Sequence, residues 1–384
     1  MRRIYLDHNA TTPLVSPALD RFCRAAGEVW GNASSVHHFG QQAKAVLDGA
    51  RASVAALLGA EPSEVVFTGG GTDADNAAVR GAAEALEPSG RRHLVVSSIE
   101  HEAVLQTAKA LAKRGWRVTF LPVGASGVVD PDALTAALGD DTALVSVMHA
   151  NNEIGTLQPI AELAALAKAR GALFHTDAVQ TAGKRAVDVR GLGVDLLSIS
   201  AHKFGGPKGS GALWIRRGVR LLPFMTGGRQ ERGRRAGTEN VPAIAGMGAA
   251  ADYARETMTE SAPRVAALRD RLERGILEGV PGTAVNGTGA RVQNTTNISV
   301  DRVESESLLI ALDLEGVAVS SGSACSSGTL EPSHVLKAMG FPHHRTLNSL
   351  RFSLGASNTE EEIDHVIGVM PGLVNKLRGL AARS

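Results

Sequence analysis

Cysteine is nearly absent from this chain. Two thiols in 384 residues, Cys23 and Cys325, exclude a disulfide framework and a cysteine-built zinc site. Aromatic residues make up only 4%, so the core has to be built from Ala, Val, Leu and Ile. Neither sign of charge dominates: 40 Lys and Arg against 39 Asp and Glu leave a formal net charge of +1. That balance argues against nucleic acid or an acidic membrane surface as the main partner. No apolar run approaches the roughly 18 residues of a membrane-spanning helix. The start, Met1-Arg-Arg-Ile-Tyr-Leu-Asp-His8, reads as a strand and lacks the apolar core of a signal peptide. The expectation is a cytoplasmic globular protein. Glycine is the exception to this thin inventory, at 43 residues. Such an excess reflects either a biased genome or turns where backbone closes on a ligand, and position has to decide.

Short β-branched runs alternate with Ala/Leu-rich helical stretches. Strands are predicted at 64–68, 93–98, 117–122, 143–149, 172–176, 196–200 and 211–216, with helices at about 73–86, 101–114 and 160–170 between them. Strands separated by helices imply a mostly parallel sheet covered on both faces, an α/β fold. After a basic glycine-rich loop, Arg229 to Arg235, read as a solvated edge, a long helix is expected from 242 to 277, broken near Pro263. Strands at 296–300 and 350–354, a helix at 305–314 and a last helix from Thr359 follow. The expected division is a large α/β domain, 14–250, and a smaller α+β domain of 1–13 and 251–384.

Thr68-Gly-Gly-Gly-Thr-Asp-Ala-Asp-Asn76 lies between a strand and a helix, where backbone N–H groups form an anion site. Gly69, Gly71 and Ala74 also satisfy the dinucleotide pattern G-x-G-x-x-A, with Glu100 as a candidate ribose acid. Against that reading, Asp73 and Asp75 would repel a second phosphate, and Glu100 lies farther along than usual. A single phosphate at Gly71 and Thr72 fits better. Ser200-Ala-His-Lys203 closes an apolar strand with a lysine suited to a lowered pKa and Schiff-base chemistry. Asp177 ends another strand, where a carboxylate could keep a pyridine nitrogen protonated. Anion cradle, amine and ring-nitrogen partner are together the fixtures of a pyridoxal phosphate site. Cys325 sits among serines and glycines, Ser320 to Gly328, a stretch unsuited to core packing. Cys23, in the pattern Leu19, Phe22, Cys23, Ala26, reads as an inert buried thiol.

At this point the chain resembles the NifS/IscS-type cysteine desulfurases, fold-type-I enzymes of the class V aminotransferase group. The likeness rests on Tyr5-Leu-Asp-His-Asn-Ala-Thr-Thr-Pro13, Ile99-Glu-His101, Met148-His-Ala-Asn-Asn-Glu-Ile-Gly155, Ser200-Ala-His-Lys203, Ala236-Gly-Thr238, Ser320-Ser-Gly-Ser-Ala-Cys-Ser-Ser-Gly328 and Leu350-Arg-Phe-Ser-Leu-Gly355. The resemblance implies pyridoxal 5'-phosphate on Lys203, which also moves the substrate Cα proton, with His101 stacked on the ring. It implies Asp177 at the ring nitrogen, Gln180 and Asn152 at the ring oxygen, and Gly71, Thr72, Ser200 and His202 at the phosphate. Thr238 would reach the phosphate of a partner subunit, hence a homodimer. Arg351 would bind the substrate carboxylate, with Asn32 a weaker candidate for the same task. Cys325 would attack the sulfur of L-cysteine and carry it as a persulfide to an iron–sulfur scaffold or another acceptor protein. Apart from transient contact between Cys325 and an iron–sulfur cluster, no metal site is implied. The Asn32 turn lacks the family's proline, and the chain ends soon after Leu380, short of the tail by which some members engage a scaffold.

Overall fold

The computed structural model describes residues 3–321 and 332–381. The strands are β1 (Ile4–Tyr5), β2 (Val65–Thr68), β3 (His93–Ser97), β4 (Arg117–Leu121), β5 (Thr142–Ser146), β6 (Leu173–Asp177), β7 (Leu196–Ser200), β8 (Gly211–Ile215), β9 (Thr283–Val285), β10 (Thr295–Val300), β11 (Val317–Ala318) and β12 (Ser349–Ser353); all but the short β9 and β11 form where the sequence pattern predicted them. A seven-stranded sheet has the order β2-β8-β7-β6-β5-β3-β4. Its strands β4, β3, β5, β6 and β7 are parallel, while β8 runs antiparallel to β7 and β2. The turn from β7 to β8 is too short for a crossover helix, so the chain has to return antiparallel. Most of these strands are buried along their whole length, as continuous apolar runs between helical layers must be. Because β2 and the five parallel strands share one direction, their carboxyl ends meet along one edge of the sheet.

The helices α3 (Gly71–Leu86) and α4 (Glu102–Lys113) pack against this sheet, while α1 (Ser16–Glu28) and α2 (His38–Leu58) pack chiefly against the helix Val241–Gly279. The second packing unit holds an antiparallel sheet, β12-β10-β9, and the parallel pair β1-β11. Ile4, Leu6, Leu272, Ile298, Leu350 and Ile363 share its core. The first residues do return to it, and Asp7 bridges Ser353. No helix among the described residues is long and apolar enough to cross a membrane.

Three expectations are corrected. The helix predicted to break near Pro263 is continuous over 39 residues, Val241–Gly279. Its first half packs Met247 and Ala251 into the large core and its second half packs Leu268 and Leu272 into the small one. Pro263 removes one N–H, but the exposed Thr259 one turn back can give its carbonyl to water, so packing at both ends outweighs the break. Cys23 is exposed rather than buried. Helix α1 seats Ala18 and Ala25 inward, which turns the Leu19 and Cys23 stripe outward.

The basic loop is not simply solvated. Its Glu231 is buried and takes two hydrogen bonds of 2.7 Å from Arg51 of α2. The backbone N–H of Phe67 donates to the same carboxylate at 2.8 Å, and Arg51 donates to the Val65 carbonyl at 2.8 Å. Glu231 and Arg232 adopt left-handed backbone at φ 44° and 60°, strain that this ion pair holds in place. Removing one partner leaves a buried charge alone. Glu231→Ala is therefore expected to cost about 3 kcal/mol, read as a lower midpoint in denaturant unfolding followed by circular dichroism.

Candidate active site

The carboxyl edge of the large sheet carries the reactive side chains. After β2 the chain turns through Gly70 at φ 150° and ψ −175°, a conformation open essentially to glycine alone, and enters α3 at Gly71. A Cβ on Gly71 would lie 3.0 Å from Val179 Cγ2 and 3.4 Å from Ser200 Cβ, so the turn sits directly on the loop after β6 and the end of β7. Asp73, the acid that argued against phosphate, is neutralised locally. Its Oδ2 accepts from Gly69 N at 2.6 Å and from the Arg235 guanidinium at 3.1 Å. Ser200 Oγ is buried beside the turn without a hydrogen-bond partner among the described residues, a donor waiting for an acceptor.

A cavity of about 680 Å³ lies over the glycine turn, lined by Gly69 to Asp73, Asn76, Ser200, His202 and Lys208. A second, of about 480 Å³, runs deeper between the two packing units. Gly71, Thr72, Ser200 and His202 line both, so the two are continuous. The deeper one is also lined by His101, Asn152, Asp177, Gln180, Lys203 and Arg351. The structure thus brings together nearly all the residues singled out from the sequence.

Lys203 ends a short turn after β7, and its Nζ donates to the carbonyls of Asn9 at 2.6 Å and Ala10 at 2.8 Å. Burial, and then the Arg351 charge, pull its pKa down to about 8, against the opposing pull of Asp177 and Asp7. The amine is therefore close to its nucleophilic form in neutral solution. Asp177 closes β6 and is 5% exposed, with Oδ1 accepting from Val179 N at 2.8 Å. Burial raises its pKa, while His101, the Val179 hydrogen bond and Lys203 oppose the rise. A protonated heterocycle nitrogen beside it would hold it ionised. His101 caps α4, accepting from Ala103 N at 3.1 Å through Nδ1, which leaves Nε2 to carry the proton. Burial and the neighbouring lysines push His202 down to about 4, so it is a neutral hydrogen-bonding group.

Arg351 on β12 is 4% exposed, bonds Asp7 at 2.6 Å and donates to the Asn152 carbonyl at 3.0 Å. Its Nε is buried without a partner among the described residues. Ser320, first residue of the Ser320–Gly328 stretch, lines the deep cavity and exchanges backbone hydrogen bonds with Arg351 at 2.7 and 3.2 Å. Cys325 lies outside the described residues. Asn32 does not reach the cavity: it is exposed, and its Oδ1 accepts from Ser34 N at 2.8 Å in a local turn. Thr238 is exposed and lines neither cavity of its own chain.

Glu100 is fully buried and takes hydrogen bonds from Met148 N at 2.7 Å and from Ser97. It lines neither cavity, and burial lifts its pKa to about 8. No ribose could reach it, so the dinucleotide pattern is a coincidence of the turn. Sequence reading missed Asp7, Asn9, Asp75 and Lys184. Asp7 and Asn9 stood within the Tyr5–Pro13 motif, a visible signal. Asp75 was read only as a phosphate-repelling acid, yet burial and Asp177 push it well above the usual carboxylate range, which removes that repulsion.

This chain belongs to the aminotransferase class-V family, whose model matches residues 4–366. It is 49% identical over 384 residues to a cysteine desulfurase of Gluconacetobacter diazotrophicus, covering 99% of this chain and 96% of that one. It is 48% identical over 381 residues to the cysteine desulfurase IscS of Methanosarcina thermophila, covering 99% and 94%. Among solved structures, a NifS-like protein superposes with a TM-score of 0.92 at 37% identity, over 98% of this chain and all of the other. A structure described as SspA in complex with cysteine gives 0.82 at 33% identity, over 93% and 100%. Within the class-V family the chain stands with the cysteine desulfurases of the NifS/IscS type.

The lowered pKa of Lys203 predicts how its amine reacts. In the protein without added cofactor, borohydride trapping of a small aldehyde on the Lys203 peptide, read by mass spectrometry, should rise with a midpoint near pH 8. Arg351→Gln removes a cation that favours the neutral amine, so the midpoint should move upward. A midpoint at the ordinary lysine value of about 10.4 would contradict the geometry.

Proposed function

We propose that this enzyme uses pyridoxal 5'-phosphate to remove sulfur from L-cysteine, giving L-alanine and a persulfide on Cys325. The observation that carries this reading is a single cavity bounded by the glycine turn, the Lys203 amine and the Asp177 carboxylate, with Ser320 on its wall. When bound, the cofactor supplies a carbonyl for an amine and a conjugated ring that accepts an electron pair from the substrate's α-carbon.

The residues present fit that group. Backbone N–H groups at Gly71 and Thr72, with the unpaired Ser200 hydroxyl and neutral His202, suit its phosphate. Asp177 suits the ring nitrogen, Gln180 and Asn152 the ring oxygen, and His101 the ring face. Lys203 provides the amine for attachment and then, uncharged, takes the proton from the substrate Cα and returns it. Arg351 offers its planar guanidinium, whose Nε has no partner among the described residues, to the substrate carboxylate. Asp7 holds that guanidinium in place.

Cys325 completes the reaction. Its thiolate attacks the substrate sulfur; the new S–S bond forms as the carbon–sulfur bond breaks. The electron pair of the broken bond stays with the substrate carbon, which takes a proton and leaves in alanine. One cysteine and one thiol thus become one alanine and one persulfide, with no outside oxidant. The sulfur then passes to an acceptor protein that serves iron–sulfur cluster assembly or another thio-cofactor. The exposed position of Thr238, away from its own cavity, supports a homodimer in which it serves the partner's site. The cysteine-poor composition supports a cytoplasmic setting.

The purified enzyme with pyridoxal phosphate should be yellow and bleached by borohydride, and Lys203→Ala should lose that reducible chromophore. Cys325→Ser should keep the colour yet abolish alanine formation from L-cysteine, measured by amino-acid analysis. Undiminished alanine from Cys325→Ser would overturn the role of the thiol.

A further inference from the structure

Behind Lys203, away from the glycine turn, lies a third cavity of about 360 Å³ between the two packing units. Lys184, one turn beyond Gln180, lines it together with His8, Lys203, Gln293 and Asn294. The Lys184 Nζ donates to Gln180 Oε1 at 2.8 Å and to Asn9 Oδ1 at 3.1 Å. Gln180 Nε2 donates to the Asn9 carbonyl at 3.1 Å, the same oxygen that receives Lys203 Nζ at 2.6 Å. Lys184, Gln180 and Asn9 thus close one hydrogen-bonded circuit, and the Lys203 amine rests on its Asn9 carbonyl.

An amide has two faces of opposite polarity, and its surroundings decide which one a ligand meets. Turning the Gln180 amide over would set Nε2 against the Lys184 amine and Oε1 against the Asn9 carbonyl. Both contacts would be repulsive. With Oε1 held by Lys184, the N–H edge is what Gln180 presents to the deep cavity. The charged and titratable groups around Lys184 are His8 from the N-terminal segment, Lys203 and His202 from the turn after β7, and Arg351 from β12. None of them accepts a hydrogen bond from its Nζ. Even an uncharged amine has two N–H groups, enough for both acceptors, so the circuit survives loss of the Lys184 proton.

We propose that Lys184 is a positioning residue for the reaction: it fixes Gln180 as a hydrogen-bond donor toward the bound ring oxygen and steadies the Asn9 carbonyl on which the Lys203 amine rests. This deepens the reading of the cavity as a pyridoxal phosphate site and rests on it. A donor at the ring oxygen favours the form of the lysine–cofactor linkage that has lost its proton. Without the donor that proton is held more tightly.

The test is a pH titration of the visible absorbance of the cofactor-loaded enzyme, with kcat and KM measured alongside. Lys184→Met should raise the pH of the spectral transition by about one unit, a tenfold change in that equilibrium. Gln180→Ala should move it the same way, and the double variant no further than Gln180→Ala alone. Lys184→Arg, which keeps a donor, should titrate near wild type, and kcat should fall in Lys184→Met with little change in KM. Should Lys184→Met fail to fold, Lys184→Gln, too short to bridge both acceptors, should shift the transition in the same direction. A wild-type enzyme that stays colourless with pyridoxal phosphate would overturn the cofactor reading and this role with it. A coloured enzyme whose transition ignores Lys184→Met, or shifts that add in the double variant, would overturn the role of Lys184 alone.

Discussion

An amine that reacts as a nucleophile in neutral solution has to be kept from the water that would stabilise its charge. That constraint governs this molecule. Lys203 is held where burial and a neighbouring guanidinium work against protonation, yet its Nζ is not left bare, since two backbone carbonyls receive it. Those carbonyls belong to Asn9 and Ala10, at the far end of the sequence. The reactivity of a residue in the middle of the chain therefore depends on the N-terminal segment being pinned across it. Thr12 completes the clasp, donating to the His202 carbonyl at 3.0 Å and accepting from Gly205 N at 2.8 Å.

The same segment joins the two packing units. Asn9 donates to the Asn152 carbonyl and to Thr295, and receives Asn294 and Lys184 on its side-chain oxygen. Arg351 reaches from the small sheet to Asp7 and Asn152. A site lying between two cores needs such polar ties, because the apolar contacts that stabilise each core do not fix their relative position at a polar seam. Buried polar networks of this kind specify one arrangement when every member is satisfied. Among the atoms without a partner in the described residues, Ser200 Oγ and Arg351 Nε lie where an anion and a carboxylate are wanted.

Acidic groups show the opposite strategy. Asp75, Glu100 and Asp177 all lie at the carboxyl edge of the sheet, almost or wholly buried. Three neighbouring carboxylates cannot all be ionised in so dry a place. Burial raises all three, but only Asp177 is opposed by His101 and Lys203. Of the three, Asp177 is the one whose rise is opposed by titratable groups lining the cavity.

The alternation of apolar runs and helical stretches foretold the parallel sheet, and strand–turn–helix junctions singled out Gly71, Asp177 and Lys203, which line one cavity; His101, on its wall too, was singled out by the family resemblance. These are local features: a strand end, a cap and a glycine turn are written in consecutive residues, and parallel strands force their carboxyl ends to one edge. The amphipathic stripe bearing Cys23 was legible, but which helix face meets the core depends on where the Val241–Gly279 helix lies. The break at Pro263 was overridden by packing at both ends of that helix. Glu231 looked like one charge in a basic loop until Arg51, 180 residues earlier, was found buried against it. By itself the sequence determined the fold class and which residue types gather at the sheet edge, because backbone geometry and residue type act over short spans. The tertiary structure alone decided which polar groups are buried together, that Asn9 receives the Lys203 amine, and that Lys184 donates to Gln180. Desolvation and hydrogen-bond polarity depend on what surrounds an atom in space, and that is set only when distant segments close on one another.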